Sequence, residues 1–162
     1  MSEPHALYNV SGHVAVRTLN RPKAKNVFSP EMISLWREYL EKAKNDDTIR
    51  VIIVTGKGDT FCSGGDIRDM VDGKLKSWNM KRFLWDGVHR IVLALEDLDK
   101  PVIAAINGAA MGAGMDMAIM CDLRVCSDKA RLAESYIMMG LVPGDGGAYF
   151  LPRLVGVSKG LE

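Results

Sequence analysis

Two stretches of this sequence have the make-up of a site that holds developing negative charge on an oxygen atom. The first is Phe61-Cys62-Ser63-Gly64-Gly65-Asp66, directly after the apolar run RVIIVTG. The second is Asn107-Gly108-Ala109-Ala110-Met111-Gly112-Ala113-Gly114-Met115-Asp116, directly after VIAAI. Each joins a β-branched run to a helix start through glycine, which lets backbone N–H groups approach a ligand closely. Free N–H groups at a helix start attract negative charge. Two such junctions on neighbouring strands can aim two N–H groups at one oxygen, an oxyanion hole. The same spacing also suits two ordinary tight turns. Other glycine-rich chemistries are excluded. Gly112-Ala113-Gly114 lacks the third glycine of a dinucleotide fingerprint, and Gly144-Asp145-Gly146-Gly147 lacks the Lys-Ser/Thr of a phosphate loop. No GxSxG nucleophile elbow is present.

The elements that must position these junctions alternate between strand and helix. Leu7 to Val10 and His13 to Leu19 read as a hairpin around Ser11-Gly12. Ser29-Pro30-Glu31 reads as a helix cap, and Met32, Ile33, Leu35, Trp36, Tyr39, Leu40 and Ala43 continue it as an apolar stripe. Arg50 to Thr55 reads as a buried strand. Asp66 to Met70 reads as a short helical turn, and Trp78 to Leu98 as one long helix ended by Pro101. Val102 to Asn107 and Leu123 to Cys126 read as further buried strands, separated by a helix over Met115 to Met120. This order predicts an α/β fold.

The chain has 162 residues, which fits one domain over 1–162. Lys+Arg number 21 and Asp+Glu 20, which excludes the basic footprint of a nucleic-acid binder. No apolar run reaches the length of a membrane span, and the first residues lack the pattern of a signal peptide. Cys62, Cys121 and Cys126 form no CxxC pair and read as reduced thiols in a cytoplasmic protein. His5, His13 and His89 are scattered, and no metal site is expected.

Four segments, LNRPKAKN (19–26), VIIVTGKGDTFCSGGDI (51–67), KPVIAAINGAAMGAGMDMAIMCDLRV (100–125) and MGLVPGDGGAYFLPRLVG (139–156), resemble the enoyl-CoA hydratase/isomerase (crotonase) family in order and spacing. The resemblance implies a crotonase-like (ClpP/crotonase) spiral of ββα units that binds an acyl-coenzyme A. It implies an oxyanion hole from the N–H groups of Gly65 and Ala113, and a first acid/base carboxylate at Asp116. Asp116 lies one helical turn after Ala113, so both face the same side. The family's helices beyond this core complete the acyl pocket and build trimers that pair into hexamers. The chain stops before them, which reads as a truncated end.

The second family carboxylate falls twenty residues after Asp116, and this sequence has Tyr136 there. A phenol is a poor base at neutral pH but donates a proton readily to a hydrogen bond. Glu134, which shares a face with Tyr136 if the segment is extended, and Asp145 are the nearby acids that can complete the site. The resemblance also implies coenzyme A contacts from Lys23, Ala24, Ser63, Asp66 and Ile67. Met111, Met115, Met117, Met120, Met138 and Met139 suit either a flexible acyl pocket or the core. The implied activity is an enoyl-CoA hydratase (a lyase) or isomerase of fatty acid metabolism, with the coenzyme A thioester as substrate and no other cofactor. Hydrolysis of 3-hydroxyacyl-CoA, a decarboxylase-like branch and a non-catalytic acyl-CoA-binding protein are the alternatives.

Overall fold

The computed structural model describes residues 3–66, 68 and 77–162. The first helix shows how local sequence sets an element. Ser29 is extended, and its hydroxyl accepts the Met32 N–H at 3.1 Å. Pro30 then starts α1 (Pro30–Lys44), with Glu31 in its first turn and Lys42 and Lys44 in its last, both favourable to the helix dipole. Met32, Ile33, Trp36, Leu40 and Ala43 form its buried stripe.

That stripe packs against a five-stranded sheet. The strands are β1 (Ala6–Ser11), β2 (Val14–Leu19), β3 (Val51–Gly56), β5 (Val102–Ile106) and β7 (Leu123–Cys126), paired in that order. β1 and β2 form the expected antiparallel hairpin, and all later pairs are parallel. Ala15, Leu19, Ile52, Val54, Val102, Ala104 and Ile106 point into one core with α1. The opposite face differs from a strand buried on both sides. The row Val16, Ile53, Ile103 and Leu123 runs from half-buried to exposed.

A second sheet was not expected. β4 (Thr60–Cys62), β6 (Ala109–Met111) and β8 (Arg131–Ala133) pair in parallel within segments read as junction loops or left without an element. Three residues are too few for a hydrophobic period to register. After the β1–β2–α1 unit, whose strands both lie in the large sheet, each spiral turn places one strand in each sheet, and the ββα repeat is the one that the resemblance implied. The helical parts are α2 (Ser77–Arg82), a π-helical turn (Phe83–Val88) and α3 (His89–Glu96), then α4 (Ala113–Ile119). The long helix read from Trp78 to Leu98 is thus interrupted by the π turn and ends at Glu96. α5 (Gly147–Val155) and α6 (Val157–Gly160) follow the turn at 143–146, and α5 continues through Pro152. Most of the turn read at Asp66 to Met70 lies outside the described residues.

One side chain ties the segment after β2 to the β3–β4 connection. Asn26 is fully buried with φ +53°. Its Oδ1 accepts the Arg21 N–H at 2.9 Å, and its Nδ2 donates to the carbonyls of Lys57 at 3.0 Å and Thr60 at 2.7 Å. Its own carbonyl accepts the Cys62 thiol at 3.1 Å. Asn26→Ala leaves those backbone groups unpaired and puts alanine in a left-handed conformation. We expect a loss of about 2–4 kcal/mol in denaturant unfolding. A loss below about 1 kcal/mol would remove Asn26 as the tie.

Candidate active site

The parallel pairing of β4 with β6, through Thr60↔Ala109 and Cys62↔Ala110, makes the two glycine-rich junctions leave the small sheet side by side. They touch backbone to backbone. A Cβ on Gly114 would collide with the Cys62 carbonyl, and one on Gly64 would lie 3.2 Å from the Ala113 nitrogen. Between the junctions lies a cavity of about 100 Å³, lined by Ser63, Gly65, Ala113, Tyr136 and Met139 among others. The surrounding amides are occupied. Ser63 N–H donates to Lys25 O at 3.1 Å, Gly64 N–H to Cys62 Sγ at 3.4 Å and Gly112 N–H to Ala133 O at 2.8 Å. The amides of Gly65 and Ala113 donate to no group among the described residues. Two unspent donors therefore border one cavity.

Behind the Tyr136 side of that cavity sits a buried acid cluster. Asp116, on α4, is fully buried. The Tyr136 hydroxyl lies 2.5 Å from Asp116 Oδ2 and 3.1 Å from Asp145 Oδ2. Glu134 joins them although the chain is not extended here, because a 3-10 turn (Ser135–Met139) follows it directly. Both Glu134 carboxyl oxygens are buried. Glu134 and Asp116 meet at Gly147, where a Cβ would strike Asp116 Oδ1 and lie 2.7 Å from Glu134 Oε1. Only glycine leaves room for both acids at this position.

Burial and mutual repulsion decide the protonation. Burial raises the Asp116 carboxyl above its ordinary value, opposed by the Tyr136 hydroxyl and Glu134. Burial, then the Asp116 charge, pushes Asp145 up to about 6. Burial, then its contact with Asp116, pushes Glu134 up to about 8, so at neutral pH Glu134 is a carboxylic acid. Burial and the two aspartates raise Tyr136, which stays protonated. The cluster holds carboxylates and exchangeable protons together, next to two free N–H donors. Such an arrangement can polarise a carbonyl and move a proton beside it.

The other expected residues divide. Lys23 and Ala24 border a separate depression of about 310 Å³ with Arg21 and Lys57. Asp66 is held by Arg68 at 2.7 Å and Arg21 at 3.6 Å, which keeps its carboxyl below the usual range. Ile67 lies outside the described residues. Met111 and Met139 line the cavity, whereas Met115 and Met117 are buried and Met138 is exposed. His89 was missed. Its Nε2 lies 2.9 Å from the Gly144 carbonyl and 4.0 Å from Asp145 Oδ1, a proximity that exists only in the folded chain.

The raised acids make stability depend on pH. Glu134 moves from an ordinary 4.5 to about 8 and Asp145 from 3.8 to about 6, so the folded state binds more protons than the unfolded chain between those limits. Stability then falls as pH rises through that window. The ion-paired Asp59, Asp66 and Asp97 are lowered instead and act only at more acid pH. We expect a higher urea midpoint at pH 5 than at pH 8, with Glu134→Gln removing much of the difference. A midpoint that rises with pH and ignores Glu134→Gln would contradict the cluster.

The enoyl-CoA hydratase/isomerase family model matches residues 9–162. The short-chain-enoyl-CoA hydratase of Clostridium acetobutylicum is 38% identical over 147 residues, covering 90% of this chain and 55% of that protein. The 1,2-epoxyphenylacetyl-CoA isomerase of Escherichia coli is 35% identical over 156 residues, covering 96% and 60%. The crystal structure of an enoyl-CoA hydratase from Bacillus anthracis superposes with a TM-score of 0.91 at 29% identity, covering 96% of this chain and 60% of that one. The chain thus spans between half and two thirds of the length of these relatives. With its two-sheet ββα spiral and this match along nearly its whole length, the chain belongs to the enoyl-CoA hydratase/isomerase family.

Proposed function

We propose that this protein transforms acyl-coenzyme A thioesters through an enolate, and that its reaction is a double-bond shift rather than hydration. The carrying observation is the 2.5 Å contact between the Tyr136 hydroxyl and Asp116. Hydration needs two carboxylates around one water, and a direct contact of that length leaves no place for water between these positions.

In this reading the thioester oxygen lies between the amides of Gly65 and Ala113. The α C–H bond of a 3-enoyl-CoA breaks, its electrons pass to the thioester oxygen, and the two N–H groups stabilise the resulting dienolate. Losing one such donor raises the barrier by about 3–4 kcal/mol. Asp116 is the base and Tyr136 the relay: the phenol oxygen, which borders the cavity, takes the α-proton as the phenol passes its own proton to Asp116 Oδ2. The proton returns to the γ-carbon, giving the 2-enoyl-CoA. The reaction moves only a proton, so its balance needs no cofactor. Arg21 and Lys23, at the separate depression, suit the phosphates of coenzyme A, with Ala24 beside them and Asp66 orienting Arg21, while Ser63 lies on the wall of the cavity between the junctions. Three unpaired cysteines support a cytoplasmic location. Exposed apolar side chains such as Val125, Ile137, Met138 and Val142 are surfaces that further helices and partner copies would cover in a full-length homotrimer or hexamer.

The test is a panel of 3-enoyl-, 2-enoyl- and 3-hydroxyacyl-CoAs followed spectroscopically, with exchange of butyryl-CoA α-protons into D₂O followed by NMR. We expect 3-enoyl-CoA isomerisation and α-proton exchange, with Asp116→Asn slowing both by about 10²–10⁴-fold and Tyr136→Phe slowing them as well. Crotonyl-CoA hydration as the fastest reaction would replace the isomerase by a hydratase that uses Glu134 as its second carboxyl. Release of free coenzyme A would favour the hydrolase, and binding without turnover or exchange would leave a binding protein.

A further inference from the structure

We propose that His89 is a positioning residue of the acid cluster: it holds the Gly144–Asp145 turn so that the Asp145 carboxyl meets the Tyr136 hydroxyl. A carbonyl oxygen only accepts, so the 2.9 Å contact makes His89 Nε2 the donor to Gly144. Among the described residues this is the one hydrogen bond made by the Gly144 backbone. The next residue, Asp145, is buried and keeps one carboxyl oxygen toward Tyr136 and the other 4.0 Å from the imidazole. The Trp85 ring meets the imidazole edge to face, with centroids 6.0 Å apart and planes at 75°.

The helix geometry explains how His89 comes to face the turn. It is the first residue after the π-helical turn Phe83–Val88. A π turn takes in one residue more than an α turn, which rotates everything downstream by about 100° around the axis. Val88 and Ile91 are buried on the core side while His89, between them, projects to the 143–146 segment. The titratable groups facing Asp145 are then Asp116 from α4, Tyr136 from the 3-10 turn, Glu134 before it, and His89 from α3.

The inference rests on the acid–base reading of the cluster, and its test separates the two. Asp145 is followed by carboxyl ¹³C NMR in protein labelled at aspartate, its resonance identified by loss in Asp145→Asn. The native protein is compared with His89→Asn, whose amide is too short to reach Gly144, and His89→Gln, whose amide reaches it. The His89 side chain is 31% exposed, so neither replacement opens the core. In His89→Asn we expect the Asp145 titration midpoint to rise, because the imidazole charge that favours its ionised form is lost and its carboxyl is no longer held in place. We also expect kcat on the accepted thioester to fall about tenfold with KM within about twofold, and His89→Gln to recover most of kcat. An unchanged midpoint in folded His89→Asn, or a His89→Gln protein no better than His89→Asn, would overturn the proposal. If the native protein turns over no thioester, the acyl-CoA reading fails, while the NMR midpoints alone still decide whether His89 holds Asp145.

Discussion

The site exists because two backbones come closer than side chains allow. The junction after β4 and the junction after β6 meet at Gly64 and Gly114, where a Cβ would run into Met111 and Ala113 or into the Cys62 carbonyl. This contact sets the small cavity and places the free amides of Gly65 and Ala113 on its wall. Neighbouring interactions serve the same contact. Phe28 N–H binds the Gly64 carbonyl at 2.8 Å, and the Cys62 thiol, pushed up to about 12 by burial, stays protonated and donates to Asn26. The junctions are held from behind by the 20–28 segment, which itself depends on Asn26. An oxyanion hole must be rigid before charge develops, since donors that move into place during reaction cost reorganisation.

The same close packing generates the proton chemistry. Closing α5 over α4 at Gly147 buries Asp116, Glu134 and Asp145 together. Three buried carboxyls cannot all ionise, so protons must remain among them. Tyr136 makes that arrangement tolerable. As a neutral phenol it sits within hydrogen-bond reach of two aspartates without adding charge. A fourth carboxyl there would face the charge of Asp116 at the same short distance and would be forced into its acid form. Departure from the family pattern at this position is therefore consistent with its surroundings: Glu134 already stands beside Asp116, and a neutral donor mediates between Asp116 and Asp145.

How much was legible depended on the length over which a pattern could be expressed. The α1 stripe, its Ser29 cap and the strands β3, β5 and β7 extend far enough for period and cap chemistry to mark them. The strands of the small sheet are three residues each and look like loops, although two of them launch the glycine-rich junctions of the site. The π turn has the composition of an ordinary helix, so nothing local marks it. Arg17 shows the limit most clearly. It stands at an inward position of β2, fully buried, with its guanidinium 3.7 Å above the Trp36 ring. No local rule puts an arginine there. It is accommodated by the face of an aromatic ring supplied from α1, a tertiary contact worth about 2 kcal/mol or more when desolvated.

The site residues follow the same logic. Spacing marked the two glycine-rich junctions because each is contiguous in the chain, and the family resemblance singled out Gly65, Ala113 and Asp116 on them. Glu134, Tyr136 and Asp145 could be named but not ranked, since their roles depend on which charges they meet in space. His89 lay beyond reach because its partner is a backbone carbonyl 55 residues away, and a carbonyl is present at every position. This division has a physical origin. The large sheet and α1 supply most of the core and can be specified by apolar pattern alone. The small sheet is built of three-residue strands, so its arrangement rests on directional bonds and on glycines that permit close contact. Stability is written redundantly along the chain, whereas the chemistry depends on a few tertiary contacts with no redundancy, and the latter are what a linear pattern leaves open.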